Sequence, residues 1–170
     1  MKAPISRVAP IAVIVALATA AFASTATGSG NPIQRGPVDV RLASPLVFLP
    51  ATSDCPAGRA HTSVTALDGQ TVGSATSCIQ SFAPTGPNSQ VVELLLTFRL
   101  AGGVIDAAVS SAETFGDSFT TFTERWTGTV TGGSGLDAGA TGTLTGGGTL
   151  TFNSDGTVAP NLEAVLDLSA

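Results

Sequence analysis

The sequence predicts an all-β domain, an eight-stranded antiparallel barrel, with a β-sandwich as the alternative arrangement. Three observations lead there. From Val38 onward apolar and polar residues alternate with a period of two, as in strands with one buried face. Glycine-containing turn signals, Asp68-Gly69, Gly102-Gly103, Gly116-Asp117 and Asp155-Gly156, interrupt the alternation at short intervals. No segment of this region carries the periodicity of an amphipathic helix. Short-linked antiparallel strands with one apolar face suit closure into an up-and-down barrel. Closure also removes the sheet edges that would otherwise pair with other chains.

The first strand is expected over Val38–Ala43, where Val38, Val40 and Leu42 alternate with Asp39 and Arg41. An apolar piece, Leu46–Leu49, follows between Pro45 and Pro50. Thr62–Leu67 and Gln70–Phe82 then flank Asp68-Gly69. That pair tolerates the positive φ angles of a two-residue type I′ turn. Pairing outward from it sets Cys78 opposite Arg59, with Cys55 in the preceding loop.

Val91–Ala101 and Val104–Thr114 flank Gly102-Gly103. If the two glycines form the turn, Leu100 faces Ile105, Phe98 faces Ala107 and Leu96 faces Val109, all on one apolar face. On the other face Arg99 meets Asp106, an exposed ion pair worth well under ~1 kcal/mol. A strand over Ser118–Thr131 directs Phe122, Trp126 and Val130 to the core and Thr121, Thr123, Arg125, Thr127 and Thr129 to solvent. A glycine-rich loop, Gly132 to Gly135, leads into a segment from Leu136 to Thr145. The last hairpin joins Thr149–Asn153 to Thr157–Leu168 across Asp155-Gly156, with Leu162, Ala164, Leu166 and Leu168 on one face.

The N-terminus reads as an export signal over residues 1–23. Lys2 and Arg7 give a positive start, Val8 to Phe22 an apolar run, and Ala21-Phe22-Ala23 a small-residue cleavage site that leaves Ser24 first. Ser24-Thr25-Ala26 offers a second site, and an uncleaved anchor is the alternative, although the run is short for a membrane span. No cysteine follows the run, which argues against a lipid anchor. Residues 24–37 are rich in Ser, Thr, Gly and Pro and read as a flexible linker, leaving 38–170 as a single domain.

Beyond residue 23, five arginines stand against twelve carboxylates, a net charge of −7. With no basic cluster, nucleic acid is a poor partner and an anionic membrane little better. No stable membrane span is expected once the signal is cut. An exported Cys55 and Cys78 are expected to form a disulfide, worth roughly 3 kcal/mol for a loop of this length.

The segment from Val130 to Gly142 (VTGGSGLDAGATG) resembles the GGTG-x-F-x-G-A-x-G signature of the allene oxide cyclase-like and dirigent-like barrels. Gly132, Gly133, Gly135, Gly139, Ala140 and Gly142 match it, Ser134 stands in for threonine, and Asp137 occupies the usual phenylalanine position. The glycines suit a tight turn that re-enters the barrel, with Ala140 and Gly142 permitting close packing. The resemblance implies an eight-stranded barrel with an apolar central cavity, often in a homo-oligomer, and points to the bacterial secreted members. The catalytic residues of the plant enzymes do not carry over, since this chain has no tyrosine.

Few reaction classes fit the remaining residues. Gly132-Gly133-Ser134-Gly135-Leu136 fails the G-x-S-x-G nucleophile elbow at its last position. His61 is the only imidazole and is expected in a surface loop beside the disulfide. No metal or cofactor is expected, because neither a calcium loop nor a phosphate-binding loop is present. Two glutamates stand out. The hairpin register puts Glu113 on the apolar face, opposite Val92, and Glu124 lies between Phe122 and Trp126 on the same face. A carboxyl lining an apolar cavity has a raised pKa and can act as acid or base. A bulge that turns either glutamate outward, or a wet barrel mouth, is the plainer alternative. The expected function is a secreted barrel that binds a small apolar ligand or a partner surface without catalysis. The alternatives are a cyclase or isomerase acting in the cavity and a self-assembling surface protein.

Overall fold

The computed structural model describes residues 37–43, 45–117 and 120–169. The expected signal segment, its cleavage sites and all but the last residue of the expected linker lie outside the described residues. The described chain is all strand, turn and loop. Nine strands follow one another: β1 (Val38–Leu42), β2 (Val47–Leu49), β3 (Arg59–Thr65), β4 (Thr71–Gly86), β5 (Ser89–Leu100), β6 (Gly103–Phe115), β7 (Thr121–Gly135), β8 (Thr141–Phe152) and β9 (Val158–Ser169).

From β3 to β9 each strand pairs antiparallel with the next, and β1 pairs with both β9 and β3. This closes an eight-stranded barrel and rules out the sandwich. The ninth strand, β2, pairs with the same edge of β3 further along, Val47 with His61 and Leu49 with Arg59. β1 and β2 thus share one edge, with the Leu46 N–H bonded to the Val158 carbonyl between them.

Alternation along the strands sorts the residues. In β9, Leu162, Ala164, Leu166 and Leu168 are buried while the residues between them are exposed. In β7 the threonine face is solvated and Phe122, Trp126 and Val130 are buried, as expected. Phe98, Ile105, Val130, Leu144 and Leu166 fill the end of the barrel that carries the β3–β4, β5–β6 and β7–β8 turns.

Several local expectations are corrected. The Asp-Gly turns are not two-residue turns. Gly69 N–H bonds to Ala66 O and Gly156 N–H to Asn153 O, so each loop has three residues and ends on a glycine at positive φ, 88° and 84°. The aspartates act from inside: Asp68 Oδ1 accepts from Gln70 N–H, and Asp155 Oδ1 from Thr157 N–H. The extra residue would shift the β3–β4 register, but an irregularity between Val64 and Thr65 restores it, and Arg59 faces Cys78 as expected.

The β5–β6 turn is Ala101-Gly102, not Gly102-Gly103, so every pair moves by two residues. Phe98 faces Ile105, Leu96 faces Ala107, and Leu94 faces Val109. Asp106 accordingly meets Thr97, whose hydroxyl donates to it at 2.7 Å, and the expected Arg99–Asp106 pair does not form. β4 runs on through Pro84 to Gly86, its proline next to a register irregularity where a missing N–H is tolerated.

The glycine-rich stretch expected as a loop is strand. Gly132 to Gly135 complete β7, and the turn follows at Leu136–Gly139. Likewise residues 141–145 and 149–152, expected in separate segments, belong to one strand, β8, which continues through Gly146-Gly147-Gly148. His61 lies in β3 rather than in a loop, exposed, with Nδ1 3.1 Å from the Thr76 hydroxyl.

Candidate functional site

The barrel is filled at one end and hollow toward the other. A cavity of about 260 Å³ lies above the packed layer, somewhat below the ~300–1,000 Å³ of ordinary ligand pockets. Its walls are mainly aliphatic and aromatic, among them Leu42, Ala75, Leu94, Leu96, Leu150 and Leu162. The polar lining is sparse: Thr62, Ser77, Gln90, Glu113 and Glu124. Phe122 and Trp126 line it as well, so the four side chains singled out in the sequence share one chamber.

The mouth carries aromatic rings. Phe115, Phe122 and Phe152 form a chain with centroids 5.4 Å apart at each step. Phe48 and Phe82 also face the cavity yet remain 52% and 50% exposed. The Cys55–Cys78 disulfide is formed, as expected, and ties the loop before β3 to β4 near this end. Ala57 and Ile79 are joined there by a backbone hydrogen bond, and a second runs from Ile79 N–H to Gly58 O.

Glu113 and Glu124 face each other directly across β6 and β7. Neither turns outward: they are 8% and 7% exposed. The shift of the β5–β6 hairpin replaces Val92 with Gln90 opposite Glu113. A shift of two keeps the inward face inward, and Gln90 Nε2 now donates to Glu113 Oε2 at 2.7 Å. Glu124 Oε2 accepts from Trp126 Nε1 at 2.5 Å and from the buried Ser111 hydroxyl at 3.4 Å.

Burial pushes the Glu113 carboxyl above its ordinary range, partly offset by the Gln90 hydrogen bond. Glu124 rises to about 7, first through burial and then through repulsion from Glu113, against the opposing effect of Trp126 and Ser111. Two carboxyls facing across one strand pair in apolar surroundings do not ionise together readily near neutral pH.

Across from Glu124 and Trp126, β8 carries glycine. Gly146 and Gly148 are the inward-phase residues opposite Trp126 and Glu124. At Gly148 φ is 145°, and a Cβ would lie 2.0 Å from the Asn161 carbonyl oxygen. The strands therefore approach with no side chain on this stretch of wall, and sequence reasoning missed it because a run of glycines reads as loop.

The family-like glycines sit at the opposite end, away from the cavity. Leu136 N–H bonds to Gly102 O, seating the β7–β8 turn on the β5–β6 turn. Gly103 makes room for Asp137, since a Cβ there would fall 2.1 Å from Asp137 Oδ2. Gly132, Gly133, Ser134 and Gly135 thus end β7, Ala140 lies just before β8 and Gly142 within it, and Asp137 is buried in the position where the signature has phenylalanine. Among the described residues no group of three or more His, Cys, Asp or Glu is placed to hold a metal ion.

Compared with known protein families, the chain matches none, and it matches no curated protein. Among solved structures, one titled pyocyanin demethylase aligns over 78% of this chain and 99% of its own, at 19% identity and a TM-score of 0.43.

Proposed function

We propose that this protein is an exported barrel that binds a small, mainly apolar molecule in its central cavity. The observation that carries the reading is the cavity itself, an apolar chamber with a few convergent polar groups. A barrel serving only as a scaffold would gain stability by filling that space and by replacing two buried glutamates with apolar residues. Export is supported by the disulfide and by the signal-like residues 1–23. The secreted protein is then expected to begin at Ser24, which intact-mass measurement reads directly. Membership of the allene oxide cyclase-like and dirigent-like barrels rests on the glycine pattern from Gly132 to Gly142 and the closed eight-strand topology.

Native mass spectrometry of the purified protein, before and after denaturing extraction, tests the binding reading. A co-purified apolar molecule supports it. Loss of that molecule from an Ala75→Leu variant, which narrows the cavity from β4, ties it to this site. A second reading, an isomerase or cyclase, is favoured by one feature: a carboxyl with a pKa near neutrality inside the chamber suits general acid–base work. Conversion of the bound molecule by the wild type, abolished in Glu124→Gln while binding persists, would support catalysis over binding alone.

A further inference from the structure

We propose that the ligand is a lipophilic monocation, an aryl- or alkyl-ammonium, whose charged head sits between Glu113 and Glu124 and whose apolar body fills the cavity. This rests on the binding reading above and specifies its chemistry. Each carboxyl has one oxygen already engaged, Oε2 of Glu113 by Gln90 and Oε2 of Glu124 by Trp126 and Ser111. The two Oε1 atoms accept no hydrogen bond from the described residues. They are not sealed in protein either, since no buried side-chain oxygen among the described residues lacks a partner. Both side chains are more than nine-tenths buried, so the surface left to these oxygens belongs to the cavity they line.

Among the described residues the chamber has no counter-charge. Glu113 from β6 and Glu124 from β7 are the only titratable or charged groups that the described residues bring to its lining. The neighbouring strands contribute Gln90 from β5, Ser77 from β4 and the apolar Leu150 and Phe152 from β8. Buried charge without a partner is costly, and a ligand cation removes that cost where a neutral ligand leaves it. Facing residues on paired strands hold their Cβ atoms ~4.5–5.5 Å apart, so one ammonium with three donors reaches both carboxyls. Phe115, Phe122 and Trp126 stand in the same lining, where aromatic faces favour a cation further. A bare divalent ion fits less well, because it requires more oxygen ligands than these two carboxyls offer.

Binding would displace a proton. A pair that holds one proton between its carboxyls gives it to solvent as the ammonium takes its place, so charge and atoms balance. The test uses 3-phenylpropylamine and its neutral counterpart 3-phenylpropan-1-ol, with affinities read from Trp126 fluorescence and by calorimetry in two buffers of different ionisation enthalpy. The expected result at pH 8 is amine binding at least tenfold tighter than alcohol binding. That preference should shrink at pH 5, where Glu124 holds its proton, and calorimetry near pH 7 should show proton release. In the Glu113→Gln/Glu124→Gln variant, checked for folding by its thermal melt, the amine-to-alcohol ratio should fall to about one. Equal binding of both compounds to wild type at pH 8, or a preference that survives in the double variant, would overturn the cation assignment and leave the cavity reading standing. Binding of neither compound would overturn both.

Discussion

Replacing Glu124 with glutamine should make the ligand-free protein more stable at alkaline pH. In the unfolded chain Glu124 ionises near its ordinary value of 4.5, whereas in the barrel it holds its proton to about 7. Between these values the folded state binds more protons, so its stability falls as pH rises and levels off above about 7. At roughly 1.4 kcal/mol per pH unit, the gap amounts to about 3 kcal/mol. Glu113, also raised, acts in the same direction. Glutamine keeps an oxygen to accept from Trp126 and removes the charge. Glu124→Gln should therefore exceed the wild type by about 2–3 kcal/mol at pH 8 and match it near pH 5. Urea denaturation measures this conveniently, since Trp126 is the sole tryptophan and bonds directly to the carboxyl. A wild type equally stable at pH 5 and pH 8, or a variant weaker than wild type at pH 8, would refute the burial argument.

Other substitutions probe other parts of the fold. Replacing Cys55 and Cys78 with alanine should cost about 3 kcal/mol or less, read as a lowered melting temperature that reductant no longer affects. Gly103→Ala forces a methyl to within 2.1 Å of Asp137 Oδ2 and 2.8 Å of Ser134 O, and should destabilise by about 1–3 kcal/mol. Gly132→Ala meets open space and should stay within about 0.5 kcal/mol in the same melts. Phe98→Ala, in the fully packed end, should cost about 3–5 kcal/mol by chemical denaturation, and a smaller loss would mean that end is less tightly packed than it looks.

Period-two alternation was enough to place the strands and sort their faces, because a strand's side chains have only two directions to point. Turn positions were less legible. Asp-Gly and Gly-Gly pairs mark where a chain reverses, but two- and three-residue loops share those residues, and the choice depends on pairing elsewhere. The consequences differed with parity. Moving the β5–β6 turn changed every β5 partner of β6 yet left Glu113 inside, because the shift was even. Arg99 and Asp106 lost their expected contact through the same shift. Glycines misled most. Gly132 to Gly135 and Gly146 to Gly148 look like loops in isolation, and the close approach of neighbouring backbone at Gly133, Gly135 and Gly146 to Gly148 explains why they are not. Glu113 and Glu124 were visible as an inward pair; Gln90, Ser111 and the bare β8 wall beside them were not.

The seam of the barrel has a consequence for the order of assembly. β1 shares five residue pairs with β9 and only two with β3. The partners Arg41 and Glu163, linked by a salt bridge outside the wall, are 122 residues apart in sequence. The β3–β4, β5–β6 and β8–β9 hairpins need only local encounters, and so does the loop tied by Cys55 and Cys78. Ring closure needs the two ends of the domain together and pays the largest chain entropy of any contact in it. A nascent or truncated chain that stops before Val158 would present two unpaired edges at once, one on β8 and one on β1. Such a chain is an open template for its neighbours, so the twelve residues of β9 decide whether the product is a closed ring or a sticky sheet.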